Sequence, residues 1–137
     1  MKNPKLSLLL LTAIAATAVA APTIEVTAGK FQGNNKIQGS AKIIERNEKR
    51  FVEFQWSKKP PTSVSFRLVK KESLAVGSFP KSVDFVNLGS SPKSVGVSKK
   101  LDVWLYRSVA AIDSKTNKII AFVNLRSAQE GKKSSSN

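Results

Sequence analysis

Residues 101–125, LDVWLYRSVAAIDSKTNKIIAFVNL, decide the fold. Two apolar runs flank the short polar segment Asp113–Asn117. In an extended chain Val103, Leu105 and Val109 share one face, with Trp104 and Tyr106 on the other. On the return run Ala121, Val123 and Leu125 share a face opposite Ile120 and Phe122. Side chains of a strand alternate between faces, so the two runs read as the arms of one hairpin, apolar on both sides. Such strands are central and covered twice, by a second sheet on one face and by a sheet or loop on the other. The stretch also holds Trp104, Tyr106 and Arg107, a group able to stack on a ring and hold an anion. It is read first as a hairpin and second as a site.

Strand patterning extends outward from there. In TIEVTAGKF, Ile24, Val26 and Ala28 alternate with Glu25 and Thr27. In KIQGSAKII, Ile37, Gly39, Ala41 and Ile43 alternate with Gln38, Ser40 and Lys42, and Gly33–Asn35 between the two segments is turn chemistry. RFVEFQW sets Val52, Phe54 and Trp56 on one face after the charged turn ERNEK, and SVSFRLV sets out Val64, Phe66 and Leu68. Pro60 and Pro61 lack the ladder donor and exclude SKKPPT from a strand interior. KESLAVGSFPKS, residues 71–82, is an irregular loop whose Leu74, Val76 and Phe79 are expected to pack over an open end of a sheet. VDFVNLG resumes strand pattern, and SSPKSVGVSKK gives a turn and a short strand. Short strands at regular spacing, with turn signals and no helical periodicity, predict an all-β domain: a single antiparallel β-sandwich of about eight strands.

The chain opens MKNPKLSLLLLTAIAATAVAAP, with Lys2 and Lys5 before an apolar run that ends in small residues. That is the build of a cleaved signal helix, residues 1–20, with cleavage after Ala20, and it implies a secreted or periplasmic protein. The run is short for the ~30 Å of a hydrocarbon core, and no second one follows, so no transmembrane segment is expected after cleavage. Residues 21–126 form one domain's length, and 127–137 are too polar to pack and are expected to be disordered. The whole chain has 23 basic and 9 acidic side chains; removing Lys2 and Lys5 leaves 21 against 9, a balance of +12. Charge of this size favours anionic surroundings, including cell-wall polymer, lipid headgroups or acidic protein. Lysines in scattered doublets argue against specific nucleic-acid recognition and are the usual means of keeping sheet edges soluble. Glu25, Glu45, Glu48 and Glu53 are expected to offset neighbouring lysines.

The stretches AGKFQGNNKIQGSAKIIERNEKRFVEFQW (28–56), VNLGSSPKSVGV (86–97) and AFVNL (121–125) resemble DM13 domains. That family opens with a Gly-x-Phe strand and a Gly-containing second strand, carries a Leu-Gly turn, and finishes near Ala-x-Leu. The resemblance implies a secreted or membrane-attached β-sandwich, found alone or beside redox domains, with a proposed role in electron transfer. In many members that role leans on a cysteine of the late strand. Here Leu105, Tyr106 and Arg107 stand in that neighbourhood and the chain has no cysteine, so no thiol-based redox role and no catalytic residue carry over.

Elimination narrows the chemistry further. The chain has no histidine, and its one methionine is Met1. The usual ligands for haem, iron–sulfur clusters, copper and zinc are therefore missing, and no cofactor is expected. Ser78-Phe-Pro-Lys81 and Ser90-Ser-Pro-Lys93 match Ser-x-x-Lys, but each falls in a proline-containing turn rather than at a helix start under an oxyanion hole. An enzyme is not expected. The candidate binding residues are Trp104, Tyr106 and Arg107 of the late strand, Trp56 with Phe51 of the third, and the doublets Lys58–Lys59 and Lys99–Lys100. Exposed, the aromatics would stack on sugar rings or bases while lysines hold anionic groups; buried, they are core, which strand spacing favours for Trp56 and Trp104. Alternation points Arg107 inward, so it needs a sheet rim or a partner such as Asp84 or Asp102. The sequence reads as a non-enzymatic binding or accessory module of the bacterial envelope. Its partner would be an anionic polymer or an envelope protein, and the alternatives are an electron-transfer accessory or a purely electrostatic polymer binder.

Overall fold

The computed structural model describes residues 22–127. The leader, its cleavage point and the tail after Ser127 lie outside the described residues.

Ten strands follow in order: β1 (Ile24–Lys30), β2 (Gln32–Gly33), β3 (Gly39–Arg46), β4 (Lys49–Trp56), β5 (Val64–Val69), β6 (Gly77–Ser78), β7 (Phe85–Gly89), β8 (Ser94–Val97), β9 (Ser108–Asp113) and β10 (Lys118–Asn124). Eight have four or more residues. They form two antiparallel sheets, β1-β3-β4-β8 and β2-β10-β9-β5-β7, with β6 also paired to β10. The architecture is the all-β sandwich expected from the alternation. Between the sheets lie Ile43 and Val52 from one side, and Phe66, Leu68, Val109, Ala111, Ala121, Val123 and Leu125 from the other.

The second arm of the opening stretch is β10, and the first is shorter than its apolar pattern suggested. β9 begins only at Ser108, and residues 101–107 are a series of turns. β9 pairs with β10 from Ser108↔Asn124 to Asp113↔Lys118. Its other edge pairs with β5 along its whole length, from Val64↔Asp113 to Val69↔Ser108. The strand is central and covered twice, as its composition required. Its outer residues Ala110 and Ile112 join Val69, Leu74 and Ile119 in a second apolar cluster, with Phe79, Val83 and Phe122 packed against it. The 71–84 segment thus covers the outer face of a sheet rather than its open end. Val76 remains exposed. The Arg67 guanidinium sits 4.7 Å from the Phe79 ring and 4.4 Å from that of Phe85, tying the cover and the start of β7 to β5 by cation–π contact.

Two irregularities overturn local alternation. The ladder shifts between Ile119 and Ala121, so Ile120 packs with the main core instead of opposite it beside Phe122. The Ile120 carbonyl freed there accepts from the Asn34 N–H at 2.9 Å. A second shift, between Glu25 and Thr27, places Thr27 directly opposite Ile43 and buries it. The expected alternation of β1 is broken: Ile24 is exposed and the Thr27 hydroxyl is buried without a hydrogen-bond partner, while Val26 still packs against the main core.

The sheets meet along one seam. The Ala28 N–H donates to the Arg126 carbonyl at 2.9 Å and the Arg126 N–H to the Ala28 carbonyl at 3.0 Å. Gly29 passes so close to β10 that a Cβ there would lie 2.6 Å from the Asn124 carbonyl oxygen and 2.7 Å from Val123 Cγ1. The hairpin β3–β4 turns on Asn47 and Glu48, both at positive φ (53° and 62°), the pair of left-handed conformations whose twist suits a two-residue loop. Two of its acids pair with arginines rather than lysines: Glu45 with Arg50, and Glu53 with Arg46 at 3.9 Å.

Gly29→Ala is expected to lower the unfolding free energy by about 1–3 kcal/mol, because backbone blocks the new methyl. Thr27→Val, which removes a buried hydroxyl that makes no bond, is expected to raise it by about 1 kcal/mol. Both shifts are read from the midpoint of urea unfolding at an unchanged m-value.

Candidate functional site

The turns at 101–107 are built rather than loose. Arg50, at the start of β4, donates to the carbonyls of Lys99 (3.2 Å) and Leu101 (2.5 Å), and its other guanidinium atoms hold Glu45. Asp102 then closes the turn. Its carboxylate accepts from the Trp104 N–H at 2.9 Å, and its carbonyl accepts from the N–H groups of Leu105 and Tyr106 at 3.0 and 3.1 Å. Val103 is buried and Tyr106 packs against the main core. With residues on either side anchored inward, Trp104 and Leu105 are held outward, 55% and 48% exposed. Trp104 was expected in the core. It escapes because the chain there turns, so strand alternation does not apply.

Beside this pair runs a groove of about 440 Å³ lined by Trp104, Leu105, Arg107, Lys70, Lys71 and Glu72. Arg107 lies at the sheet rim just ahead of β9. Its Nε donates to the Leu125 carbonyl at 3.2 Å and its guanidinium stands 5.8 Å from the Trp104 ring. Of the two acids considered for it, Asp102 is engaged with Trp104 and Asp84 lies 3.9 Å from Lys70. Lys70 and Lys71 arrive at the end of β5. The Ser108 hydroxyl, buried at the first residue of β9, donates to the Lys71 carbonyl at 2.9 Å and fixes this turn against the strand. The sequence had not singled out Lys70 and Lys71 among its doublets, since only the β5–β9 register brings them to Trp104.

The candidates therefore divide between two ends of the molecule. Trp104, Arg107, Lys99 and Lys100 belong to the end where β4 begins. Trp56 closes β4 at the opposite end, and the exposed Lys58 and Lys59 follow it. Trp56 packs against the core. Its indole N–H donates to the Pro92 carbonyl at 2.8 Å, and its ring stacks on Phe54 and Phe31 with centroids 5.3 and 5.4 Å away. Phe51 faces away from Trp56, opposite Gly96 across to β8. At the Trp56 end an open groove of about 720 Å³ runs past Phe31 and Trp56, and its walls carry the amides of Asn34, Asn35, Gln38 and Gln55. Of the Ser-x-x-Lys serines, Ser90 donates its hydroxyl to the Thr62 carbonyl at 3.2 Å, and Ser78 is exposed in β6.

Among the described residues no helix is long and apolar enough to cross a membrane. No family model, no characterised protein and no solved structure matches the chain.

Trp104→Ala is expected to leave stability within about 0.5 kcal/mol of the parent, as for other exposed positions. Val103→Ala, one residue away, is expected to cost about 2 kcal/mol through lost burial. Thermal unfolding of the two variants side by side checks that the turn separates an anchor from a working residue.

Proposed function

We propose that the protein is a secreted, non-enzymatic binding module of the bacterial envelope, resembling DM13 domains, and that it binds anionic envelope material through the Trp104 end. One observation carries this reading: a largely exposed tryptophan is held by a bonded turn in a groove with Lys70, Lys71 and Arg107. Exposed tryptophan gains from being covered, and clustered cations gain from a nearby anion, so one ligand satisfies both. The leader-like start of the chain supports the compartment. The two-sheet sandwich is the fold that the DM13 resemblance implies.

Inorganic polyphosphate is a suitable polyanionic probe. Its affinity, followed by tryptophan fluorescence, is expected to fall steeply between low and high salt, as screening of clustered charge demands. The double change Lys70→Glu with Lys71→Glu is expected to weaken binding at low salt by about tenfold or more, given like-charge repulsion at the groove. Lys58→Glu with Lys59→Glu, at the far end, changes net charge equally and is expected to move affinity less than about threefold. Equal losses from the two pairs would mean that the charge acts diffusely and that the Trp104 end is not a site.

A further inference from the structure

The geometry points to an anionic phospholipid bilayer as the surface that the Trp104 end meets, with Trp104 and Leu105 entering the interface and the surrounding cations seated on headgroups. This inference rests on the reading of the Trp104 end as the binding end and names its partner. Leu105 decides between kinds of anionic partner. A phosphate or sugar polymer offers charge for the lysines and a ring for Trp104 to stack on, but nothing for an isobutyl group. A bilayer receives both, since tryptophan settles at the headgroup level and an adjacent aliphatic side chain reaches the acyl boundary.

Three features of the turn match that task. Trp104 and Leu105 are consecutive and both exposed, and with Ile24, Val76 and Phe85 they make up the large apolar side chains left exposed among the described residues. They cannot fold back, because Asp102 bonds the N–H groups of residues 104, 105 and 106 while Val103 and Tyr106 are anchored in the core. The cost of ordering the tip is met when the protein folds, which leaves more of the apolar gain for binding. Around the tip Lys70, Lys71 and Arg107 line the same groove, and Lys99 and Lys100 lie exposed on the approach to the turn. Three acids lie near these five cations, with Asp84 3.9 Å from Lys70, the Asp102 carboxylate accepting from the Trp104 N–H and Glu72 on the groove wall, so positive charge stays in excess at this end. Cations act on an anionic leaflet only within about a Debye length of it, so a ring of them at the apolar tip is where they count.

The test uses protein expressed from the whole sequence, with its mature N-terminus mapped by mass, and vesicles of phosphatidylethanolamine and phosphatidylglycerol at 3:1, against vesicles of phosphatidylcholine alone. The expected result is sedimentation with the anionic vesicles only, with Trp104 emission quenched by acyl-chain-brominated lipid in the parent and no such quenching in Trp104→Phe. Leu105→Ser, an exposed change that leaves the thermal transition in place, is expected to weaken vesicle binding on the order of tenfold while leaving polyphosphate affinity unchanged. If Leu105→Ser is silent on vesicles while Lys70→Glu with Lys71→Glu abolishes binding to both probes, the bilayer is overturned. The basic end is then a polyanion site. If vesicles and polyphosphate both fail to bind, or both bind without regard to every change at this end, the underlying reading falls as well.

Discussion

Two-sided burial of one short strand organises the molecule. β9 offers only Val109 and Ala111 to the main core, and Ala110 and Ile112 to the outer cluster. One small side chain on each face, Ala111 inside and Ala110 outside, leaves space beside Val109 and Ile112 that larger residues from the neighbours fill: Phe66 and Leu68 inside, Leu74 and Phe79 outside. A strand covered in this way needs every backbone bond met by its neighbours, and β5 and β10 run antiparallel along its full length. The first residue of β9 also reaches beyond the sheet. Its Ser108 hydroxyl holds the Lys71 carbonyl, so the strand that fixes the core sets where Lys70 and Lys71 stand relative to Trp104.

The 98–107 segment hangs from a different fixture. Arg50 is largely buried and has one carboxylate and two carbonyls as partners, so its donors are spent on geometry. Removing a guanidinium from water costs enough that such an arrangement is poor evidence for net stability. What it supplies is position: the charge-assisted bonds leave the Lys99–Leu101 backbone one place to lie, and the Asp102 turn starts from there. The apolar tip is thus referenced to both sheets, through Arg50 on β4 and through Arg107 and Leu125 beside β9 and β10.

Legibility in the sequence followed the range of the forces involved. Hydrophobic alternation is local, and it placed the eight longer strands, the central hairpin and the inner residues Val52, Phe66, Leu68, Val123 and Leu125. It failed at Ile120 and Thr27, because a bulge adds a residue to one strand only and leaves no compositional trace. It failed again at Trp104, where LDVWLYR satisfies strand periodicity but Asp102 captures three successive N–H groups and turns the chain. An aspartate two residues ahead of the tryptophan was the available signal, since that side chain competes with strand ladders for nearby backbone donors. Lys70 and Lys71 showed only as one lysine doublet among several, and the Arg67 clamp on Phe79 and Phe85 carried no signal: each depends on pairing between segments distant in sequence.

The high net charge gains meaning only through this geometry. Spread evenly, the excess lysines would keep the molecule soluble and the short open edge strands β7 and β8 unpaired, and Lys93 and Lys99 close to β8 fit that use. Charge becomes recognition where it adjoins surface that gains from leaving water, because the ligand then displaces solvent from the cations as it covers the apolar group. Lys58 and Lys59 lie at the end where Trp56 is already stacked and bonded, so no comparable exposed ring stands there for a ligand to cover. At the other end Trp104 and Leu105 are outside the core by construction, with Val103 and Tyr106 taking the buried places. The opening stretch is therefore two devices in series: a hairpin that completes the sandwich, and a turn ahead of it that holds apolar surface where folding alone gains nothing from it.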